Sequence, residues 1–487
     1  MARPKPAHAV QGGDTCAGRR GAECPLSIAG ITYRTVQLPS PIRRRVLVAT
    51  HCSACDCRCV NKSSPNDVGH PRGFSAFLKA LGPGLVTGAA DDDPSGIGTH
   101  SQIGAEFGYK LSWTFTLSFP LLAVIQIVAA EIGRVTGRGI AANLRRHYPR
   151  PLMWFAVSLL LIANVINLGA DLSAMGDSMK MLVGGRAAAY TVAFGFFCVL
   201  LEVFLDYRTY SSVLKWATLS LFTYIAVAAV AHIPWGQALK ALFVPEIERT
   251  SAYATGFVAI LGTTISPYLF FWQAGQEIEE ERRAHTKPLC ITPKDADGAL
   301  KDIRTDTLIG MAFSTIISVA IVFATAATLN AHGVTNIETS AQAAQALRPV
   351  AGDLAYLLFA IGIIGTGMLA VPVLAGSAAY AMTEMFGISS SLDAKPAKAR
   401  FFYAVIAATT FAGASLQALG INPVKALYWS AVVNGVLAVP LMALMMLIVR
   451  NPRAMGRLTL SNGNAIVGWA ATLIMAAASA VFFWSLF

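Results

Sequence analysis

Three consecutive carboxylates, Asp91-Asp92-Asp93, run directly into Pro94, Ser95 and Gly96 inside an apolar stretch from Phe77 to Phe107. On insertion scales each such group near a bilayer centre costs about 2.5 to 3.5 kcal/mol, and Pro-Ser-Gly interrupts a helix at the same level. Broken backbone at membrane depth survives only where protein buries it or where it lines a polar cavity, so the segment reads as a cation site. A plainer reading leaves Asp91 and Asp92 at a wet helix end, with Pro94 as a simple kink.

A second interruption lies five spans further on. Gly262-Thr263-Thr264-Ile265-Ser266-Pro267-Tyr268 puts small, hydroxylated residues and a proline in the middle of the apolar stretch from Ser251 to Glu277. An unwound turn frees carbonyls that hydrocarbon cannot satisfy. A divalent cation between Asp93 and Ser266 would satisfy them while neutralising Asp93; on its own, Ser266-Pro267 would pass for a packed proline kink. Matching breaks in the first helix of two five-helix halves point to an inverted-repeat transporter with its site at the repeat interface.

The elements that must position these residues are helices in a membrane. Of the 487 residues 55% are hydrophobic and 13% charged, and the mean hydropathy is +0.54. This excludes an ordinary soluble enzyme. Apolar windows of about 20 residues give eleven spans, the first at 77–107 and the last at 463–487; those at 77–107, 251–277 and 350–386 are overlong, as discontinuous helices would be. The expectation is an all-α polytopic bundle: an extension over 1–73, repeat 1 over 74–249, repeat 2 over 250–450 and an eleventh helix in 451–487.

The net charge of +11 raises nucleic acid as a partner, but the basic residues follow alternate loops. With the N-terminus inside, the cytoplasmic loops carry nineteen Lys and Arg and the opposite loops seven, as the positive-inside rule requires. A plasma-membrane protein with a cytoplasmic N-terminus follows, with the lipid bilayer as partner and no nucleic acid.

The first seventy or so residues are polar, basic and Cys-rich, without helical periodicity or a signal-peptide core, and read as disordered. His51, Cys52, Cys55, Cys57 and Cys59 crowd enough thiols to hold a soft metal. Their spacing matches no zinc module, and Cys16 and Cys24 are distant. The alternative is an unstructured extension or translated upstream sequence: no Met falls between Met1 and Met153, and Val68 could be an alternative start. Cys198 reads as a buried small hydrophobe and Cys290 as a loop thiol.

Gly82-Pro83-Gly84, Asp93-Pro94, Thr99, Gln102, Gly104-Ala105 and Phe107-Gly108-Tyr109 resemble the first helix of the NRAMP divalent-metal transporters, with its Asp-Pro-Gly-Asn break. The stretch Thr136-Gly137-Arg138 to Asn143, ending His147-Tyr148-Pro149, is similar to the segment after that family's second helix, and the likeness runs from about Gly82 to Gly456. It implies a bundle of the LeuT type, a divalent cation as substrate, no cofactor and no catalysis. By this resemblance the family's metal-binding Asp falls on Asp93, its Asn on Gly96, its Met-Pro-His on Ser266-Pro267-Tyr268, and its carbonyl donor on Thr263.

The departures set the expected chemistry. Without the thioether, Asp93, Thr263, Ser266 and Asp92 offer only oxygen, which suits Mg, Ca and Mn over Cd. The missing bulk at Gly96 leaves room for an ion that keeps part of its hydration shell, as Mg does. This resembles the NRAMP-related magnesium branch, with Mn the nearest rival. Tyr268 replaces a histidine that could switch near neutral pH, and Asp171-Leu172-Ser173-Ala174 keeps one acid of the family's pair, so little proton coupling is expected. Asp171 could instead carry protons or pair with an interior Arg or Lys.

His100, one turn past the break, reads as a satisfied interior histidine or as a ligand and pH sensor. Asn434 falls near a site-lining polar position of the family, and Asn167 reads as a helix bridge. Glu131 reads as a partner of Arg134 or water, the acids from Glu277 to Glu281 as a solvated face or a cation-drawing vestibule, and Gly362, Gly365 and Gly367 as packing. Rival functions are a Na-coupled small-solute symporter of the same architecture, which three adjacent Asp disfavour for an anionic solute, and a membrane-embedded enzyme, for which no H-E-x-x-H or nucleophile constellation exists. A docking protein using the Cys-rich arm would leave the buried acids unexplained.

Overall fold

The computed structural model describes residues 27–28, 31–35, 47–49, 87–88, 90–204, 222–388, 392 and 396–486. His51, the cysteines before Val68, Val68 itself and Gly82-Pro83-Gly84 lie outside the described residues. The chain divides into a unit over Met1–Val68 and a unit over Gly69–Phe487, a boundary five residues before the expected one.

In the first unit three short strands, β1 (Ser27–Ile28), β2 (Ile31–Thr35) and β3 (Leu47–Ala49), pair antiparallel in that order. Tyr33 faces Ala49 and Thr35 faces Leu47. This differs from the expectation of a segment without secondary structure. Ile, Thr and Tyr in β2 and Val in β3 are the residue types that fit a pleated surface.

The second unit is all helix. Past the segment that is helical at 87–88 and 90–91 come α1 (Pro94–Phe107), α2 (Trp113–Thr136), α3 (Ile140–His147), α4 (Arg150–Val183) and α5 (Ala187–Phe204). After these follow α6 (Phe222–Val230), α7 (Trp235–Phe243), α8 (Ser251–Thr264), α9 (Pro267–Arg283) and α10 (Ala296–Thr328). The chain closes with α11 (Ser340–Gln345), α12 (Ala355–Phe386), α13 (Arg400–Ser415), α14 (Pro423–Val449) and α15 (Asn462–Ser485).

Among the described residues nine helical segments are long and apolar enough to cross a membrane, with α8 and α9 counted as one. The other two expected spans are the one around Asp93 and the one containing α6; each is described over only part of its length. The sequence pattern shows which face each helix buries. In α5 the buried residues are Thr191, Gly195, Cys198 and Glu202, one stripe at helical spacing, while Val192, Phe196 and Phe197 face outward. In hydrocarbon the outward apolar face costs nothing, and the small inward residues let helices approach.

The two interrupted helices are the middle of the bundle. In α1 every residue except Glu106 is buried, and α1 packs on α10, α14 and α8. Gly262 of α8 lies so close to α14 that an added Cβ would strike the Ala431 carbonyl and the Gly435 amide. Gly367 of α12 packs against Met175 and, at 3.2 Å for an added Cβ, against Pro94 Cγ. The glycine in α12 is therefore a packing residue beside the first break.

Candidate functional site

At the first break Asp93 adopts an extended backbone (φ −72°, ψ 171°) and caps α1, with Pro94 in the first turn. Proline there forfeits an amide that would have no helical partner anyway. Asp93 Oδ1 accepts the Gly96 amide at 2.6 Å. At the second break Ile265 and Ser266 leave helical geometry (Ser266 φ −82°, ψ 130°), and Pro267 opens α9.

The breaks meet. Tyr268 Oη lies 3.0 Å from Asp93 Oδ2 and 3.1 Å from the Ala90 carbonyl, and can donate to either. Asn167 of α4 donates to Asp93 Oδ2 at 3.4 Å and accepts from Asn434 of α14 at 3.2 Å. Asp93 thus ends a polar chain from α14 through α4 and receives a second donor from α9. Around Gly96, an added Cβ would stand 3.2 Å from the Asp91 carbonyl oxygen and 3.5 Å from both Asp93 Oδ1 and Thr263 Oγ1. Oxygens from both breaks therefore face the bare side of this glycine.

Other expected residues are placed differently. Ser266 turns its hydroxyl back to the Gly262 and Thr263 carbonyls at 3.0 and 2.9 Å, so its single proton is shared between these two freed carbonyls. Asp92 points to Ser314 of α10 (3.4 Å), which also donates to Asp91 at 2.6 Å. Among the described residues one oxygen each of Asp91 and Asp92 has no partner. Asp171 is fully buried; the Ser95 amide approaches it, and among the described residues no Arg or Lys lies within ion-pair distance. Among the described residues neither ring nitrogen of His100 has the partner that a satisfied interior histidine would need, and the ring tilts against Phe115 at 5.4 Å.

At the end of the bundle where α2 and α9 finish, the charged residues also pair differently from the expectation. Glu131 pairs with Arg304 at 2.7 Å, not with Arg134, which pairs with Glu281 at 3.2 Å. Glu277, Glu279 and Glu281 are buried and not a solvated face; Glu277 accepts from Gln273, and Thr87 also bonds Gln273. Burial of a charge demands such partners.

Sequence reasoning missed Ser314, one of two serines in the long helix α10. It also missed Asn164, which donates to the Leu374 carbonyl and Ser377, and Gln126, buried with no partner for its amide among the described residues. The available signal was a polar side chain in the middle of a span. Among the described residues no three His, Cys, Asp or Glu gather where they could hold a metal. Any cation at the breaks would meet one bonded carboxylate together with hydroxyl, amide and carbonyl oxygens.

A helical membrane bundle with two broken helices meeting at a buried carboxylate is the LeuT-type fold. A family model described as natural resistance-associated macrophage protein-like matches residues 84–485, and the chain belongs to this Nramp family, whose members are transporters and not enzymes. Among relatives, the divalent metal cation transporter MntH of Deinococcus radiodurans is 26% identical over 428 residues, covering 85% of this chain and 92% of that protein. The MntH of Mesorhizobium japonicum is 28% identical over 304 residues, covering 61% of this chain and 65% of that one. A manganese transporter of Eremococcus coleocola superposes with a TM-score of 0.66 at 16% identity, over 86% of this chain and 88% of that one. A nucleobase-cation-symport-1 family transporter in a closed conformation gives 0.53 at 14%, over 83% and 92%. Both structural likenesses concern the fold.

Proposed function

We propose that this Nramp chain carries a divalent metal cation across the plasma membrane by alternating access, at an oxygen-lined site between the two breaks, with the N-terminus in the cytoplasm. Asp93 is the charged ligand, Thr263 and Ser266 are hydroxyl or carbonyl donors, and Gly96 leaves space for retained water. Asp92 acts from a neighbouring position through Ser314, and Asn434 and Tyr268 orient Asp93. His100 and Asp171 line the pathway. The two repeats over 74–249 and 250–450 move against each other, and the eleventh helix over 451–487 flanks them.

The observation that carries this reading is the convergence on Asp93: four helices supply its hydrogen bonds and surroundings, and every group offered is oxygen or amide. Hard donors favour Mg or Mn, since a polarizable sulfur ligand would be needed to favour Cd. Uptake into liposomes by the purified chain, compared across Mg, Mn, Ca, Zn and Cd, tests it. Uptake of Mg or Mn that Cd fails to outcompete is expected. A carrier that prefers Cd, or that moves no divalent ion, overturns it.

A further inference from the structure

Where α2, α9 and α12 end, four arginines line one cavity of about 460 Å³: Arg138, Arg145, Arg146 and Arg282, with Glu384 as the lining carboxylate. Glu384 is committed elsewhere. It accepts the Ala142 amide at 3.1 Å and is also reached by the amides of Gly139 and Ala141, so it caps the start of α3. Arg282 lies 3.8 Å from Glu279. Arg145 and Arg146, in the last turn of α3, have no carboxylate within ion-pair distance among the described residues. A cluster of like charges of this density repels a divalent cation, so the cavity does not serve the cation path.

We propose that this cavity binds a phosphate-bearing anion, and specifically the headgroup of an anionic phospholipid. Guanidinium groups match phosphate oxygens with paired, charge-assisted hydrogen bonds, and basic pockets between transmembrane helices on the cytoplasmic side suit such headgroups. The lipid source rests on the wall beside the cavity. Ile388 lines it and is exposed, and Phe386, two residues earlier, is 48% exposed. Trp154, 49% exposed, meets Phe386 edge-on at 5.8 Å, and Phe401 meets it from another side at 5.6 Å. Trp is enriched where spans meet the membrane interface, and Trp154 sits in this cluster, so a headgroup in the cavity would leave its acyl chains against an apolar, outward-facing wall. A free soluble anion would make no use of that wall.

The test uses the full chain in phosphatidylcholine nanodiscs, titrated in separate arms with phosphatidylglycerol and with inorganic phosphate, the bound lipid being counted by mass spectrometry. Saturable retention of phosphatidylglycerol is expected, weakened roughly 10- to 30-fold in R145Q/R146Q. The control K294Q/K301Q, which removes equal charge from the same side of the bundle, should leave it unchanged. Equal weakening by both pairs would mean diffuse surface attraction and overturn a specific site, as would equal retention of phosphatidylcholine. Full displacement of the lipid by millimolar inorganic phosphate would overturn the lipid as the source. If the double variant unfolds in phosphatidylcholine alone, R146Q by itself should still weaken retention several-fold, and parental retention by that variant would overturn the proposal.

Discussion

Replacing Asp93 by asparagine removes the charge at the meeting of the two breaks while keeping the shape. The fold should tolerate it, because asparagine caps a helix as well as aspartate does, and its amide oxygen can still accept the Gly96 amide now 2.6 Å from Oδ1. On the other side its NH2 would replace Oδ2 and face Asn167 Nδ2, now a donor at 3.4 Å. Relief requires the Asn167 amide to flip, which turns its NH2 toward the Asn434 donor and so passes the conflict along the chain. Tyr268 escapes by donating to the Ala90 carbonyl at 3.1 Å. We expect thermal stability to fall by about 1 to 2 kcal/mol. The effect on cargo is larger. At an effective dielectric of 20, unit charges 4 Å apart attract by about 4 kcal/mol, and a divalent ion by about 8 kcal/mol. If dehydration leaves only a quarter, about 2 kcal/mol, affinity still falls roughly 30-fold. Calorimetric titration with Mn, together with liposome uptake and a melting curve, reads all three quantities. A folded D93N that takes up metal at the parental rate would refute the assignment of Asp93 as the charged ligand.

Ser266→Met should raise Cd affinity at least several-fold by supplying a soft ligand; titration of parent and variant with Cd and Mn decides it, and an unchanged ratio would speak against Ser266 as a cargo ligand. Metal uptake should bring little stoichiometric proton flux, because Tyr268 and Ala174 do not exchange protons at neutral pH; acidification of a trapped dye that disappears in Asp171→Asn would show instead that Asp171 carries the coupling. Ser314→Ala removes the donor shared by Asp91 and Asp92 and should cost about 1 to 3 kcal/mol of stability, read as a lower melting temperature with transport only partly reduced. Burial, and then the charges of Arg146, Arg138 and Arg453, hold His147 below its usual value of 6.5. The unfolded chain then takes up the proton first, so stability is full above about pH 6.5 and falls as pH drops toward the folded pKa; melting curves at pH 7.5 and 5.5 should show a smaller acid loss in His147→Gln than in the parent.

Both breaks were legible from sequence because proline, carboxylates and hydroxyls inside an apolar run violate the rules of a lipid-embedded helix within a few residues of each other. The same local grammar marked the spans, and the alternation of basic loops supported an expected orientation. Partner choice was not legible. The bonds that fix Asp93 reach Asn167 and Tyr268, 74 and 175 positions away, and that from Asn434 to Asn167 spans 267. No periodicity encodes which polar atoms face each other when helices so distant in the chain pack together. For that reason His100 emerged without a partner among the described residues, Glu131 with Arg304, Ser266 folded back onto the helix before it, and the acids after Gln276 largely buried. A residue's intolerance of lipid is intrinsic and can be read from the chain, whereas the group that relieves it is set by helix packing, which only the tertiary structure decides.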